Sequence, residues 1–531
     1  MHSDSASKKS RHPLAHGASV AFLIASILAP AARAQLGVTD FSLIDGVGAG
    51  SLGSAIARGD FDADGFDDLV MGAPETEVAA LARVGAVRVH YGGSQGWSRI
   101  ETLTPVDLGD EAEAGAQFGA ALATGDFDDD GFDDLAIGMP GRMVNFGARA
   151  GGVFVTYGGE DPFVRIQFVS QLLFEGIPED NDRFGTSLAA GDLSGDGVDD
   201  LVIGVPFEDV PDNPGPLGAA EDAGAVNIVS GAAAIALQVA GNQWLHQDSP
   251  GVTLSANANE LFGFSLAIGQ FEDDPIPDLA VGTPGEVVSG PGQKGAVVVF
   301  AGAVDGLDPV ANSERVWSQD DPAILGSGQD GDQFGYALAV GDFNGDSWTD
   351  LAIGAPGESQ FGVEEAGAVH ALYGNFFGLS SVDQLFLESS FDPDVDPFDR
   401  LGEALAAGDF DGDRRDDLAI GAPLDNSLGF TNAGEVDVLY GTPEGLTLVG
   451  GQVFNMIFFG ALEIADEFGA ALAAGRFFSA SAEAQDLAIG IPRRGEPFGA
   501  EPGAVVVVRS RSIFIDGFES GDTSRWAVTV P

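Results

Sequence analysis

Phe118 to Pro140 reads FGAALATGDFDDDGFDDLAIGMP, and Phe334 to Pro356 repeats it as FGYALAVGDFNGDSWTDLAIGAP. The same phrase occurs seven times, opening on Leu52-Gly53, Phe118-Gly119, Phe184-Gly185, Phe262-Gly263, Phe334-Gly335, Leu401-Gly402 and Phe468-Gly469. A recurrence every ~66 to 78 residues is the mark of stacked or radially arranged supersecondary units.

Each opening is followed by a Gly-x-Pro, as in Gly72 to Pro74, Gly204 to Pro206 and Gly421 to Pro423. Between the two marks lie two short apolar stretches, such as AALAT and DLAIG, flanking a run of aspartates. Segments of about five residues bounded by Gly, Asp and Pro read as strands. Alanine is depleted from strands, which argues the other way. The segments are nevertheless too short and too interrupted for stable helices. A Val-rich third segment follows, as in Gly85-AVRVHY-Gly92, Gly151-GVFVTY-Gly158 and Gly367-AVHALY-Gly374. A weaker fourth fits the variable stretch before the next repeat, for instance Gln167 to Phe174. Four antiparallel strands per repeat, without helical periodicity, predict an all-β fold: a seven-bladed β-propeller. Val38 to Asp45 is strand-like and has no repeat of its own, whereas the seventh repeat has only three strands. Supplying the missing outer strand from the N-terminus would close the ring and remove an open edge. Six or eight blades would leave one segment unplaced.

The FG…D-x-D-x-D-G…GAP phrase resembles the FG-GAP repeat of the integrin α-subunit head, and the resemblance runs from Leu36 to about Arg509. It implies a seven-bladed propeller and, by analogy with members that bind extracellular ligands, a binding or adhesion role. One fold hosts many functions, so the second implication is the weaker.

Five repeats place carboxylates or substitutes at loop positions 1, 3, 5 and 9. They are Asp60, Asp62, Asp64 and Asp68; Asp126, Asp128, Asp130 and Asp134; and Asp192, Ser194, Asp196 and Asp200. The others are Asp342, Asn344, Asp346 and Asp350, and Asp409, Asp411, Asp413 and Asp417. The position-7 carbonyl of Phe66, Phe132, Val198, Trp348 or Arg415 adds another oxygen. Ca2+ takes six to eight oxygens in flexible geometry, so this spacing suits it better than Mg2+ or Zn2+, at about five sites. The plain alternative is that such turns are held by Asx hydrogen bonds and need no metal. Crowded like charges in five loops favour the ion, which relieves their repulsion. Repeat four (Gln270, Glu272, Asp274, Pro275, Asp278) has lost its first carboxylate, and repeat seven has Arg476, Phe478 and Ala480 instead of ligands. Strands that persist without ligands imply structural rather than catalytic ions.

The 23 basic and 82 acidic residues give a formal net charge of −59, which excludes nucleic acid as a partner. Lys8, Lys9 and Arg11, the apolar run Val20 to Ala29 and Ala32-Arg33-Ala34 predict a secretory signal peptide over 1–34. That run is too short to span a membrane, and no other segment approaches the length. With no cysteine there is neither disulfide framework nor thiol nucleophile. The propeller is expected over 35–511. The tail 512–531, with Gly517 to Ala527, resembles C-terminal segments of exported bacterial proteins and is expected to sort or attach, or else to be a disordered or edge-docked tail.

Past residue 34 there are three histidines, His90, His246 and His370. Two fall inside Val-rich strands and the third lies in an irregular segment near Trp244, none in a nucleophile elbow or zincin helix. A carboxylate pair could hydrolyse glycosides, but the repeat accounts for most carboxylates as ligands. The expectation is therefore a non-enzymatic, secreted or surface-located monomer that binds an extracellular protein or glycan. Its repeat-specific loops would carry the contact: Phe207 to Ala223, Val287 to Lys294 and Phe361 to Ala366. An architectural surface or matrix role is the alternative, and a secreted hydrolase the third.

Overall fold

The computed structural model describes residues 36–510 apart from 47–49, 145–146, 175–177, 211–219, 305, 308–314, 392–394, 427–429, 460–465, 479–483 and 495–501. The expected leader (1–34) and tail (512–531) lie outside the described residues, as does Ala480.

The described residues form seven four-stranded antiparallel sheets, six of them taken in chain order. Blade 1 comprises Ala55–Gly59, Asp68–Ala73, Ala86–Tyr91 and Arg99–Leu103. The first strands of consecutive blades touch one another in turn, and Ala55–Gly59 of blade 1 meets Leu472–Gly475 of blade 7. The ring is thereby closed. Blade 7 takes its outer strand, Leu36–Asp45, from the N-terminal end of the chain, paired antiparallel with Ala504–Ser510 from Phe41↔Val508 to Asp45↔Ala504. The expected overlap is present.

Burial explains the repeat's composition. All six residues of the second strand are buried in blade 1 (DLVMGA), blade 2 (DLAIGM) and every other blade, so this strand reads as an unbroken apolar run. Each core lies between two blades: Phe61, Val70 and Val89 of blade 1 pack with Phe118, Ile137 and Phe154 of blade 2. The alanines that argued against strands, and the glycines beside them, are small because neighbouring blades touch there. A Cβ on Gly138 would lie 2.2 Å from the carbonyl oxygen of Gly185 in the next blade.

The opening Phe-Gly is the hook between blades. Phe118 is fully buried, and its N–H donates to the carbonyl of Val84 in blade 1 at 2.9 Å. Leu52 repeats this across the closure, donating to Pro502 at 3.1 Å. The fourth strand of blade 2 is shorter than its sequence suggests. It covers only Ile166–Val169, and Gln171–Leu173 turns into one 3-10 turn. His246 follows directly on the strand Gln238–Leu245, which contains Trp244, so the segment expected to be irregular is mostly strand.

Candidate metal loops and the blade interfaces

The loop between first and second strands adopts one geometry in all five complete repeats. The position-1 carboxylate accepts the N–H groups of positions 5 and 6: Asp60 from Asp64 (3.0 Å) and Gly65 (2.9 Å), Asp126 from Asp130 and Gly131, Asp192 from Asp196 and Gly197. Asp342 and Asp409 do likewise toward Asp346 and Ser347, and Asp413 and Arg414. Position 5 then accepts the N–H of position 7, as Asp64 does from Phe66 at 2.9 Å. Trp348 and Arg415 donate in the same way to Asp346 and Asp413. The Asx bonding is therefore real, and it shapes the turn.

At position 3 it leaves Asp62 Oδ1 and Asp128 Oδ1 buried and without a donor, although the other Asp128 oxygen pairs with Arg165 and Asp411 accepts the Asp413 N–H. Carboxylate oxygens of Asp60, Asp62 and Asp64 lie within 4.8 Å of one another, as do those of Asp126, Asp128 and Asp134, and of Asp409, Asp411 and Asp417. The loops of blades 3 and 5 bring no such three carboxylates together among the described residues, since position 3 is Ser194 or Asn344. In these, Ser194 donates to Asp192 at 3.4 Å and Asn344 to Asp346 at 3.0 Å. Arginines approach two loops: Arg165, stacked on Tyr157, pairs with Asp128, and Arg415 pairs with Asp413.

Position 9 plays a second part. Asp68 accepts the N–H of Phe61 at 3.1 Å on one oxygen and of Gly92 at 2.9 Å on the other, which ties the loop to the end of the third strand. Asp278 in degenerate blade 4 makes the same pair of bonds, to Phe271 and Gly302. Its retention there shows that this aspartate closes the hairpin whatever the loop holds. Burial, reinforced by the carboxylates of positions 1 and 3, pushes Asp68 and Asp134 up to about 8 and holds Asp417 well above its usual range. In blade 4 the Gln270 amide donates to the Glu272 carbonyl (2.8 Å) and to Asp274 (3.3 Å), crossing the loop where the other blades have a carboxylate.

Two sets of residues escaped the sequence reading. The first is position 8, immediately before each second strand. Asp133 accepts the Asp60 N–H at 2.8 Å, Asp199 that of Asp126 at 3.1 Å, Asp416 that of Asp342 at 2.9 Å and Thr349 that of Gln270 at 3.0 Å. The loops of blades 1, 2, 4 and 5 are thus gripped by the next blade. The doubled Asp-Asp before the second strand was the available signal. The second set lies at the opposite end of the blade interfaces, where buried acids two residues before the Phe/Leu-Gly hook meet acids two residues after the Gly-x-Pro. Asp182 with Glu208, Glu260 with Glu286, and Asp332 with Glu358 are all buried. Between blades 5 and 6, buried Glu388, Asp399 and Asp425 bring carboxylate oxygens within 4.8 Å of one another.

The model for the FG-GAP repeat matches residues 52–90, 118–156, 184–226, 334–372 and 401–439, the five blades with complete loops. This is an integrin-α-like FG-GAP propeller. Integrin alpha-PS2 of Drosophila melanogaster is 29% identical over 262 residues, 48% of this chain and 16% of that protein. Integrin alpha-5 of Xenopus laevis is 29% identical over 46% of this chain and 20% of its own length. Phosphatidylinositol-glycan-specific phospholipase D of Rattus norvegicus is 34% identical over 29% of this chain and 18% of its own. The FG-GAP chain therefore spans a fifth or less of these relatives. Among solved structures, Bacillus licheniformis rhamnogalacturonan lyase PL11 overlays at a TM-score of 0.28 and 13% identity, covering 78% of this chain and 68% of its own, too slight a likeness to argue from. No helix among the described residues is long and apolar enough to cross a membrane.

Proposed function

We propose that this FG-GAP propeller is exported, holds structural Ca2+ in the loops of blades 1, 2, 3, 5 and 6, and binds an extracellular protein or glycan. The observation that carries the metal reading is Asp128. It is 2% exposed, its Oδ1 accepts no hydrogen bond, and it lies within 4.8 Å of carboxylate oxygens of Asp126 and Asp134. A buried carboxylate oxygen without a donor is costly, and a hard cation satisfies it. Positions 1, 3, 5 and 9 and the position-7 carbonyl would hold the ion, whose chemistry here is charge neutralisation that stiffens the loop.

The binding role rests on likeness to integrin α and on the loops at the far end of the blades. Phe361, 90% exposed between the second and third strands of blade 5, is one such loop tip. A surface aromatic on a rigid scaffold suits recognition. Catalysis is the lesser reading. The His370–Asp383 pair, 2.9 Å apart, has both side chains fully buried and is out of reach of a substrate. Calorimetric titration of the purified protein tests the metal reading: Ca2+ should bind at about five sites with Mg2+ much weaker, and Asp128→Asn should remove one. Absence of binding would leave the loops as Asx turns. Arrays of matrix proteins and glycans, probed with Ca2+ and with chelator, test the rest.

A further inference from the structure

The acid pairs at the blade interfaces repeat with an additional member. Between blades 3 and 4 the Gln247 amide nitrogen donates to Glu260 at 3.1 Å and to Glu286 at 2.5 Å, and none of the three is more than 1% exposed. Between blades 4 and 5 the Gln319 amide donates to Glu358 at 2.8 Å, and Asp332 hydrogen-bonds Glu358 in turn. Between blades 2 and 3 the Gln171 amide donates to Glu208 and also reaches Asp182. Each glutamine follows the fourth strand of one blade. Of each acid pair, one member lies in the connection into the next blade and the other in the turn that follows that blade's second strand.

Hydrogen-bond accounting leaves the same gap three times. At two of the interfaces the amide reaches both carboxylates; at the third Gln319 serves Glu358 alone, and Asp332 meets Glu358 directly. The amide oxygen is buried and receives none, for Gln171 Oε1, Gln247 Oε1 and Gln319 Oε1 alike. Two buried carboxylates facing each other beside a single amide cannot both ionise without strong repulsion. One additional proton shared by the two carboxyls relieves that repulsion.

We propose that the three interfaces joining blades 2 to 5 are each closed, at the end opposite the aspartate loops, by one proton held between two buried carboxylates, so that alkaline pH charges these interfaces and loosens the blades. The surrounding charges do not compensate. Glu208 faces Asp182, Glu179 and Asp209, all acidic, and Glu286 faces Glu260. Asp332 faces Glu358 and Lys294, but Lys294 is engaged with Asp320 at 2.7 Å, and His370 stands 3.5 Å beyond Gln319 with its other nitrogen on Asp383. Burial, then the partner carboxylate, pushes Glu208, Glu286 and Asp332 up to about 8. A carboxyl raised in the fold contributes stability that is complete below its unfolded value of about 4, and that is lost as pH rises through its folded value.

The test is thermal unfolding of the full chain at saturating Ca2+, so that the aspartate loops stay occupied, between about pH 6 and pH 9. The wild type should lose midpoint steadily. Glu286→Gln, which carries a permanent NH2 where the proton sits, should flatten part of the slope, and E208Q/E286Q/D332N should flatten most of it. Equal slopes in wild type and variants overturn the proposal. Should the triple variant not fold, hydrogen exchange on the wild type decides. Faster opening at pH 9, beyond the intrinsic pH effect, confined to the segments after the fourth strands of blades 2, 3 and 4 supports the latch. Uniform acceleration around the ring overturns it.

Discussion

Asp67 and Arg476 are 409 residues apart in sequence, yet the Asp67 side chain accepts the Arg476 backbone N–H at 2.7 Å. This is the position-8 bond of blade 1 onto the loop of blade 7, and it fastens the ring where the two ends of the repeat array meet. The Asp67 N–H also donates to the Arg476 carbonyl at 3.2 Å, and Arg58 pairs with the same carboxylate at 3.1 Å. Asp67→Ala should lower unfolding stability by about 1–3 kcal/mol, because it strands a backbone donor. Denaturant titration reads the loss. Asp133→Ala, at an ordinary interface, should cost a similar amount, which would show that the closure is energetically one interface among seven.

Blade 4 offers a gain-of-site experiment. Gln270→Asp removes two amide hydrogen bonds and adds a charge, so it should destabilise by about 1 kcal/mol with or without Ca2+. Pro275 at position 6 has no N–H for the new carboxylate to accept, whereas Gly65 donates to Asp60 in blade 1. The double variant Q270D/P275G restores that donor. It should recover stability on adding Ca2+ and bind one ion more than the wild type in calorimetry.

Chelation should lower the melting midpoint reversibly. Each ion that binds only the folded state contributes about 2.7 kcal/mol at a hundredfold excess over its dissociation constant. Asp128→Asn should shrink the Ca2+-dependent shift while changing the midpoint in chelator little, since relief of the carboxylate repulsion in the loop offsets loss of the pair with half-exposed Arg165. A smaller midpoint in chelator would assign Asp128 to turn formation instead.

The crowding of blades is open to a single methyl group. Gly138→Ala would drive a Cβ to 2.2 Å from the Gly185 carbonyl oxygen, a backbone atom that cannot step aside. A loss of about 3 kcal/mol or more is expected in thermal or chemical unfolding. Gly65→Ala meets no atom within 4 Å, and its cost should be only that of a left-handed residue (φ +89), about 1 kcal/mol.

Acid should act through His90. Its ring lies 5.2 Å from Trp97, and neither nitrogen has a hydrogen-bond partner. Burial, with the Arg88 charge second, pushes it down to about 4. A depressed value means its contribution is complete above its unfolded value of about 6.5 and lost as pH falls toward 4. His90→Leu should therefore lose less midpoint than the wild type between those values.

Much of the architecture was legible in one dimension. Gly85-AVRVHY-Gly92 marks the third strand of blade 1 at its observed bounds, Ala86–Tyr91. The orphan segment ending at Asp45 forecast the closing strand. The spacing of Asp60, Asp62 and Asp64 forecast oxygens that converge. These features are local, or repeat often enough to be read as a period.

What the tertiary structure alone decided is everything that passes between blades. Asp133 resembles the first aspartate of any doublet until blade 2 sets it against the Asp60 N–H. Gln247 is one polar residue after a strand until the ring brings Glu260 and Glu286 to its amide. The repeat determined seven sheets and five acidic loops because strand pairing and turn bonding act within a few tens of residues. Which carboxylates hold a neighbour's backbone, and which hold a proton, depended on surfaces that meet only once the sheets are set around the axis and water is excluded between them.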